Sequence, residues 1–524
     1  MAFKLFDTKQ KQQVEFTPLT AGEVKIYNCG PTVYSTAHIG NFRSFVFADL
    51  LRRYFEYRGL KVTQVMNITD VGHLTEDDRA DAGGEDKLQK TARELGWDPF
   101  KVARHFEDGF HADRKALGIQ DAHEYPRATD HVPEMLVQVQ QLLDRGHAYI
   151  PEGSGEVYYD ISSFPEYGEL SGKVTEDLEA GARVEINQLK KNPADFALWK
   201  TDQAHLMQWD PAADSTWAAY PGARPKLDPR ITKGFPGWHI ECSAMSSRYL
   251  GETFDIHTGG EDNIFPHHEC EIAQATGATG AEYARYWMHV RHLLVNGKKM
   301  SKSEGTLYNL EDLTAKGYSA LEIRYLLLAN HYRQPMNFTL EGLDAARASI
   351  ARLQTCRDLL VERQALPPEG GKTAQISAAI AKLNQGFGDA LDDDLNTANG
   401  LAALFEFVSA VNRLQPAAAD AELALRALDH TDHVLGVLSR QSKSGTISKA
   451  ELEAECVTAP SPEAAKALLA QPSVSLAELR QVALARHAAR KNKDWPTADA
   501  IRDGLKAQGV LFEDTAQGVR FKLP

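Results

Sequence analysis

The stretch Glu23-Val-Lys-Ile-Tyr-Asn-Cys-Gly-Pro-Thr-Val-Tyr-Ser-Thr-Ala-His-Ile-Gly-Asn41 decides the fold. Glu23 to Gly30 alternates as a buried strand does, and His38-Ile-Gly-Asn41 opens an amphipathic, helix-like stretch that ends near Gly59. A second strand-like run covers Lys61 to Ile68. Strand, glycine-containing turn, helix and strand form the unit of a parallel nucleotide-binding sheet, whose ligands gather at the carboxyl ends of its strands. His38 sits at the start of the first helix, where backbone N–H groups and the helix dipole favour an anion, and Gly40 permits close approach of a nucleotide.

Working outward, polar helices and a short β-rich patch around Gly155 to Ile161 fill about 80–200 and read as an insertion, with sheet-like material returning at Trp238 and at Tyr286 to Val295. Gln203 to Phe235 is rich in Pro, Asp, Ala and Gly with little periodicity, a loop excursion to which the sequence assigns no role. After Ser303 helical patterns dominate, at Leu321 to Leu328, Leu340 to Arg363, Ala374 to Phe387 and Ala398 to Leu438. Breaks at Leu366-Pro-Pro-Glu-Gly-Gly, at Ser442-Lys-Ser-Gly and from Pro460 to Pro472 precede a small last unit containing Trp495. The expected fold is an α/β Rossmann-type parallel-sheet domain with an insertion, then an α-helical bundle and a small C-terminal α+β domain. The expected boundaries are 1–315 (insertion about 80–200, lysine-rich loop 299–303), 316–443 and 444–524.

With 43 % hydrophobic and 25 % charged side chains over 524 residues, the composition is that of an ordinary globular protein. The first twenty residues hold no apolar core of a signal peptide, and no apolar run approaches the roughly 18 residues that span a bilayer, so no membrane association and a cytoplasmic location are expected. Cys29, Cys242, Cys270, Cys356 and Cys456 are too few and scattered for a disulfide framework. A formal charge of −14 argues against loose binding of nucleic acid through a general positive field; a polynucleotide partner needs locally basic surfaces.

Two further clusters carry chemistry. Lys299-Met300-Ser301-Lys302-Ser303, followed by Glu304-Gly305, places two ammonium groups and two hydroxyls on one short loop, a donor set suited to a triphosphate. Cys29, Cys242 in Gly237-Trp-His-Ile-Glu-Cys-Ser-Ala-Met, and His267 and Glu271 in Phe265-Pro-His-His-Glu-Cys-Glu-Ile-Ala form a candidate zinc set, because the i,i+4 pair shares one helix face and sulfur and nitrogen are softer donors than calcium or magnesium prefers. Cys270, at i+3 from His267, reaches the same face and competes with Glu271 on spacing alone. Near the C-terminus, Arg486-His-Ala-Ala-Arg490-Lys-Asn-Lys-Asp-Trp495-Pro-Thr-Ala-Asp499 puts basic residues ahead of a lone Trp on a helix-turn-helix, a combination that grips unstacked bases.

The pair His-Ile-Gly-x early and Lys-Met-Ser-Lys-Ser late resembles the class I aminoacyl-tRNA synthetases, with Asn41 where His is commonest; Asn41 can donate to phosphate but carries no charge. The contexts of Cys29, Cys242, His267 and Glu271 sharpen the likeness to the cysteinyl-tRNA synthetases. Further matches run through Asn67-Ile-Thr-Asp70, Leu170-Ser, Ala180-Gly-Ala-Arg183-Val-Glu and Phe196-Ala-Leu-Trp-Lys200. The chain departs from the family in Val-Gly-His-Leu-Thr after Asp70 and in the long 203–235 excursion.

This resemblance implies a ligase that activates L-cysteine with ATP to cysteinyl-adenylate and pyrophosphate, then transfers cysteine to the 3′-terminal adenosine of tRNA(Cys). It implies one Zn2+ on Cys29, Cys242, His267 and Glu271, with Cys270 a neighbour where the family has Asn. It implies ATP with Mg2+ at His38, Gly40, Asn41, Lys299 and Lys302, and cysteine near Thr69, Trp238 and His257. The middle bundle would then contact tRNA, and Arg490, Trp495, Asp499 and Asp514 would read the anticodon. The rivals are a cysteine ligase acting on an amino sugar, whose relatives lack the C-terminal unit, and a zinc-containing RNA-binding protein without catalysis, which leaves the lysine-rich loop unexplained. The sequence leaves the oligomeric state open.

Overall fold

A short hairpin of β1 (Lys4–Asp7) and β2 (Gln12–Glu15) leads into β3 (Glu23–Asn28), the strand that the opening alternation predicts. The computed structural model describes residues 2–76, 83–173, 188–300, 305–364, 371–439, 444–455, 459–471, 475–515 and 518–522. Val24, Ile26 and Tyr27 of β3 are buried, as are Phe42, Val46, Leu50 and Leu51 of α1 (Ile39–Tyr57), which crosses to β4 (Lys61–Met66). β4 lies parallel to β3 in register from Glu23↔Lys61 to Asn28↔Met66.

The insertion begins with a hairpin of β5 (Leu74–Glu76) and β6 (Gly83–Asp86), followed by α2 (Lys87–Leu95), α3 (Pro99–Ala116) and α4 (Val132–Asp144). β7 (Ala148–Tyr149), β8 (Val157–Tyr159), β9 (Phe196–Lys200) and β10 (Phe235–Pro236) then form an antiparallel sheet. The chain returns through α5 (Trp238–Leu250), β11 (Phe254–Gly260), α6 (Glu269–Thr279) and β12 (Ala284–Val290). The main sheet runs β12-β11-β3-β4, with every neighbouring pair parallel. Strand order reverses between β3 and β11, so a crevice forms at their carboxyl ends, where the Cys29 N–H donates to the Thr258 carbonyl at 3.0 Å.

Sheet-like material is expected at Trp238, but a helix occupies that position. α5 buries nearly every residue from His239 to Ser246, so it lacks the polar face whose period marks a surface helix, and a short apolar run does not separate helix from strand. Beyond β12, β13 (Leu293–Val295) and β14 (Lys298–Lys299) form a hairpin closed by Asn296 and Gly297, both at positive φ, the conformation that Asn-Gly favours in a two-residue turn. α7 (Leu310–Ala315) and α8 (Ala320–Ala329) follow, and β15 (Met336–Phe338) adds parallel to β13.

The helical patterns appear as α9 (Leu340–Arg363), α10 (Thr373–Asp392), α11 (Thr397–Leu414) and α12 (Ala418–Leu435). The last two replace one long expected helix because Gln415 and Ala418, both at positive φ, flank Pro416, which lacks the N–H that would continue the ladder. The chain divides into two compact units, Met1–Ile350 with Lys382–Phe405 and His430–Val437, and Ala351–Ala381 with Glu406–Asp429 and Leu438–Pro524. In the second, β16 (Ser444–Ser448), α13 (Lys449–Glu455), α14 (Pro462–Leu469), α15 (Leu476–Lys491), α16 (Trp495–Ala507), β17 (Leu511–Thr515) and β18 (Gly518–Lys522) build the expected α+β element. Its antiparallel sheet, ordered β16-β18-β17, covers a core that includes Ile447, Val482, Ile501, Leu505 and Phe521. No helix among the described residues is long and apolar enough to cross a membrane.

One buried ion pair fixes α1 within the first unit. Arg324 of α8 has no solvent exposure; it donates to the Leu435 carbonyl, the Leu117 carbonyl and the Asp49 carboxylate, which also accepts from Arg53 and from the Gln120 N–H. Burial alone would raise the Asp49 pKa, but the guanidiniums of Arg324 and Arg53 hold it below the usual value. Arg324→Ala leaves that carboxylate buried without its main partner, and denaturant titration at neutral pH should show a loss of about 3–5 kcal/mol. Because the folded pKa is depressed, the wild-type contribution is complete above the unfolded value of about 3.9 and fades as pH falls through the lower folded value.

Candidate metal centre and the capped start of α1

Four elements converge at the crevice. Cys29 directly follows β3, Cys242 lies on α5, His267 on a π-type turn from Ile264 to His268, and Glu271 in the first turn of α6. Gly30 makes the approach possible, since a Cβ there would collide with the Asn67 carbonyl oxygen. One ligand atom from each of the four residues lies within 4.8 Å of the others. Cys242, His267 and Glu271 are at most 2 % exposed.

The surroundings orient these donors without satisfying them. Glu271 Oε2 is 2.9 Å from His257 Nε2 and accepts from the Tyr283 hydroxyl at 2.9 Å. Glu271 Oε1 has no hydrogen-bond partner, although His267 Nε2 stands 3.1 Å away. His267 Nδ1 is meanwhile engaged by His239 at 2.9 Å, and the His267 ring is stacked under Trp238 at 4.4 Å. Burial pushes both thiols up, Cys242 far up, and pushes His267 down to about 3. A buried cluster of two sulfurs, an imidazole nitrogen and an orphaned carboxylate oxygen is a donor set that a bound cation would stabilise; this group can hold a metal ion.

A second group, Cys29, His257, His268 and Glu271, meets the same distance limit and shares Cys29 and Glu271 with the first. His268 Nε2 lies 3.1 Å from Cys29 Sγ while its Nδ1 is held by His289 at 2.7 Å. Sequence reading singles out neither His268, His239 nor Tyr283. Adjacent His267 and His268 are visible there, but their facing depends on the π-type turn, which spacing does not disclose. Cys270 Sγ lies 3.4 Å from the Tyr167 hydroxyl and belongs to neither group.

Of the residues expected around a cysteine substrate, Trp238 and His257 contact His267 and Glu271, and Thr69 is linked to Gly30 through Asn67. Trp238 is half-buried between His267 and His73, the latter stacked at 4.2 Å. The Thr69 hydroxyl accepts from Asn67 Nδ2 at 3.0 Å, and the Asn67 side-chain oxygen accepts from the Gly30 N–H at 2.8 Å, which links Thr69 to the residue after Cys29. His257 is fully buried against Glu271.

At the amino end of α1, His38 and Asn41 cap the helix reciprocally. His38 Nδ1 accepts from the Asn41 N–H at 3.2 Å, and Asn41 Oδ1 accepts from the His38 N–H at 3.0 Å. Burial lowers the His38 pKa, and a neutral imidazole that accepts at Nδ1 carries its proton on Nε2. The far limb of the lysine-rich loop meets this corner, with the Ile39 N–H donating to the Tyr308 carbonyl at 2.9 Å and His38 bridging Asn309. Met300 also reaches it, its Cε crowding the position a Cβ on residue 40 would occupy. Lys302, the side chain of Lys299 and the Ala180-to-Glu185 match lie outside the described residues. In the C-terminal element Arg486 grips Asp514 with both arms and Arg490 adds a third bond at 2.7 Å, while Asp499 pairs with Arg502 and Trp495 is 55 % exposed.

Comparison with known proteins adds to this geometry. The family described as tRNA synthetases class I (C) catalytic domain matches residues 15–348, and the DALR domain matches residues 386–439. Curated relatives include a cysteine--tRNA ligase of Thermus thermophilus, 44 % identical over 525 residues, and that of Symbiobacterium thermophilum, 40 % identical over 530; each match spans 100 % of both chains. Among solved structures, a Mycobacterium tuberculosis methionyl-tRNA synthetase bound by methionyl-adenylate superposes with a TM-score of 0.52 at 15 % identity, covering 79 % of this chain and 90 % of that one, a likeness of fold.

The contrast between the two α5 and α6 cysteines is testable. Metal analysis of purified protein should show Cys242→Ala losing most of its bound metal and Cys270→Ala keeping it; the opposite pattern would assign the sulfur ligand to Cys270.

Proposed function

The chain belongs to the cysteine--tRNA ligase family of class I aminoacyl-tRNA synthetases, and on that premise we propose that it activates L-cysteine with ATP as cysteinyl-adenylate and passes the cysteinyl group to the 3′-terminal adenosine of tRNA(Cys). The observation that carries the reading is the convergence of Cys29, Cys242, His267 and Glu271 beneath Trp238, at the carboxyl end of the same sheet whose next helix begins with His38 to Asn41. Two thiolates, an imidazole and a carboxylate suit zinc. Bound there, zinc would supply a soft Lewis acid that a thiolate coordinates readily, a hydroxyl far less well and a methyl group not at all.

The protein's own groups do the positioning. His257 and Tyr283 hold Glu271, His239 and Trp238 hold His267, and Thr69 and Trp238 stand at the wall where the amino acid is bound. The substrate carboxylate attacks the α-phosphorus of ATP in line and the bond to pyrophosphate breaks, so no side-chain nucleophile is needed. With its oxygen spent on the helix cap, Asn41 offers its amide N–H2 outward, and His38 offers Nε2–H; together with Gly40 and the helix dipole they favour the phosphates. Lys299 and Lys302 close over the departing pyrophosphate, and Mg2+ accompanies ATP. A ribose hydroxyl of the terminal adenosine then attacks the aminoacyl carbonyl and AMP leaves.

We assign residues 1–315 to catalysis, 316–443 to tRNA contact and 444–524 to the anticodon, with Arg490, Trp495, Asp499 and Asp514 at that end. The reading places the enzyme in the cytoplasm, where reduced thiols and tRNA occur together. Relatives matching over the full length of this chain, C-terminal element included, argue against an amino-sugar acceptor.

Cysteine-dependent ATP–pyrophosphate exchange and charging of tRNA(Cys) test the function directly; exchange without charging would sink the tRNA assignment. Lys302→Ala should slow exchange by about 10²-fold with little change in the KM for cysteine, which an unaltered rate would contradict. Stripping zinc with a chelator should collapse the preference for cysteine over serine, and adding zinc back should restore it.

A further inference from the structure

Arg43 lies within the first two turns of α1, just past the His38 to Asn41 corner, and is 3 % exposed. Its guanidinium is spent on main-chain carbonyls. Nη1 donates to Arg291 at 2.7 Å and to His292 at 2.8 Å, and Nη2 donates to Gln334 at 2.6 Å and to His331 at 3.3 Å. Arg291 and His292 are the two residues between β12 and β13, and His331 and Gln334 lie in the turn before β15.

β13 and β15 are adjacent parallel strands, and β14, which ends at Lys299, flanks β13 on the other side. One side chain of α1 therefore holds the amino ends of both strands that support the entering limb of the lysine-rich loop. The leaving limb is held by α1 as well, through the Tyr308 carbonyl on the Ile39 N–H and the Asn309 bridge to His38. The described residues on both sides of the loop, β14 up to Lys299 and Tyr308 with Asn309, are thus tied to the first two turns of one helix. A planar fork can reach two pairs of carbonyls at once, whereas an ammonium group cannot span them.

We propose that Arg43 is a positioning residue for adenylate formation: it sets the lysine-rich loop against the His38 to Asn41 corner and acts on the phosphate step through that loop, touching neither amino acid nor nucleotide. The proposal rests on the function proposed above, because the loop has a rate to control only if ATP is cleaved at this corner.

The test uses the full-length zinc-loaded enzyme and the variants R43K and R43Q. Cysteine-dependent ATP–pyrophosphate exchange should lose about 10- to 100-fold in kcat, the cost expected of a small misplacement, while the KM for cysteine and the zinc content stay at wild-type values. In a K302A background R43K should add less than about twofold, because both substitutions disable the same loop. Multiplicative losses in the double variant, a parallel rise in the KM for cysteine, or an unchanged kcat would each overturn the proposal. Limited trypsin digestion gives a readout that does not depend on activity: R43K should speed cleavage at Lys298, Lys299 and Lys302 and leave other sites unaltered, and uniform acceleration would mean general destabilisation instead. If R43Q does not fold, R43K and its digestion pattern decide. Wild-type enzyme without exchange activity would sink the proposed function, while the digestion comparison would still judge Arg43.

Discussion

Two thiols, an imidazole and a carboxylate face one another in a largely buried cluster, and one carboxylate oxygen is left without a donor. Burying an unsatisfied polar group costs about 1–3 kcal/mol, and an isolated charge far more, so such a cluster persists only where something compensates for it. The compensation fits a cation. The fold is arranged around that requirement: β3 must end just before Cys29, Gly30 must lack a side chain to pass Asn67, and the π-type turn must aim His267 while α6 begins at once to aim Glu271.

In the function proposed above, the same constraint gives the site its selectivity. Cysteine and serine differ by one atom, and a pocket that reads shape alone separates such side chains by only about 1–3 kcal/mol. A zinc ion held there would read chemistry instead, and the stacked Trp238 and the hydrogen-bonded His239, His257 and Tyr283 keep the residues that would hold it from wandering. The corner at the start of α1 has a different character. His38 and Asn41 are tied into a helix cap that spends one side of each side chain, and in the proposed function the other side of each meets phosphate, Asn41 without carrying charge.

Much of this was legible in the sequence, because strand alternation, a helix opened by His38 and the i,i+4 pair of His267 and Glu271 are local patterns with local causes. The parallel β3, α1, β4 unit and the small α+β element at the end appear where those patterns place them. What depends on tertiary packing was not legible. α5 reads ambiguously because it is buried on all sides. The choice between Cys270 and Glu271 turns on which way α6 faces, and Cys270 lies against Tyr167. The aperiodic 203–235 excursion gains its order from distant partners: His205 stacks on Phe235 at 3.8 Å and approaches Asp86 at 3.4 Å, and Trp209 exchanges backbone hydrogen bonds with Gly234.

X-ray absorption at the zinc edge, recorded on the loaded enzyme before and after adding cysteine or serine, addresses the central claim most directly. Two sulfur neighbours, from Cys29 and Cys242, should be present at the start. Cysteine should add one more and serine none. A sulfur count unmoved by cysteine, or an initial shell without two sulfurs, would contradict the account.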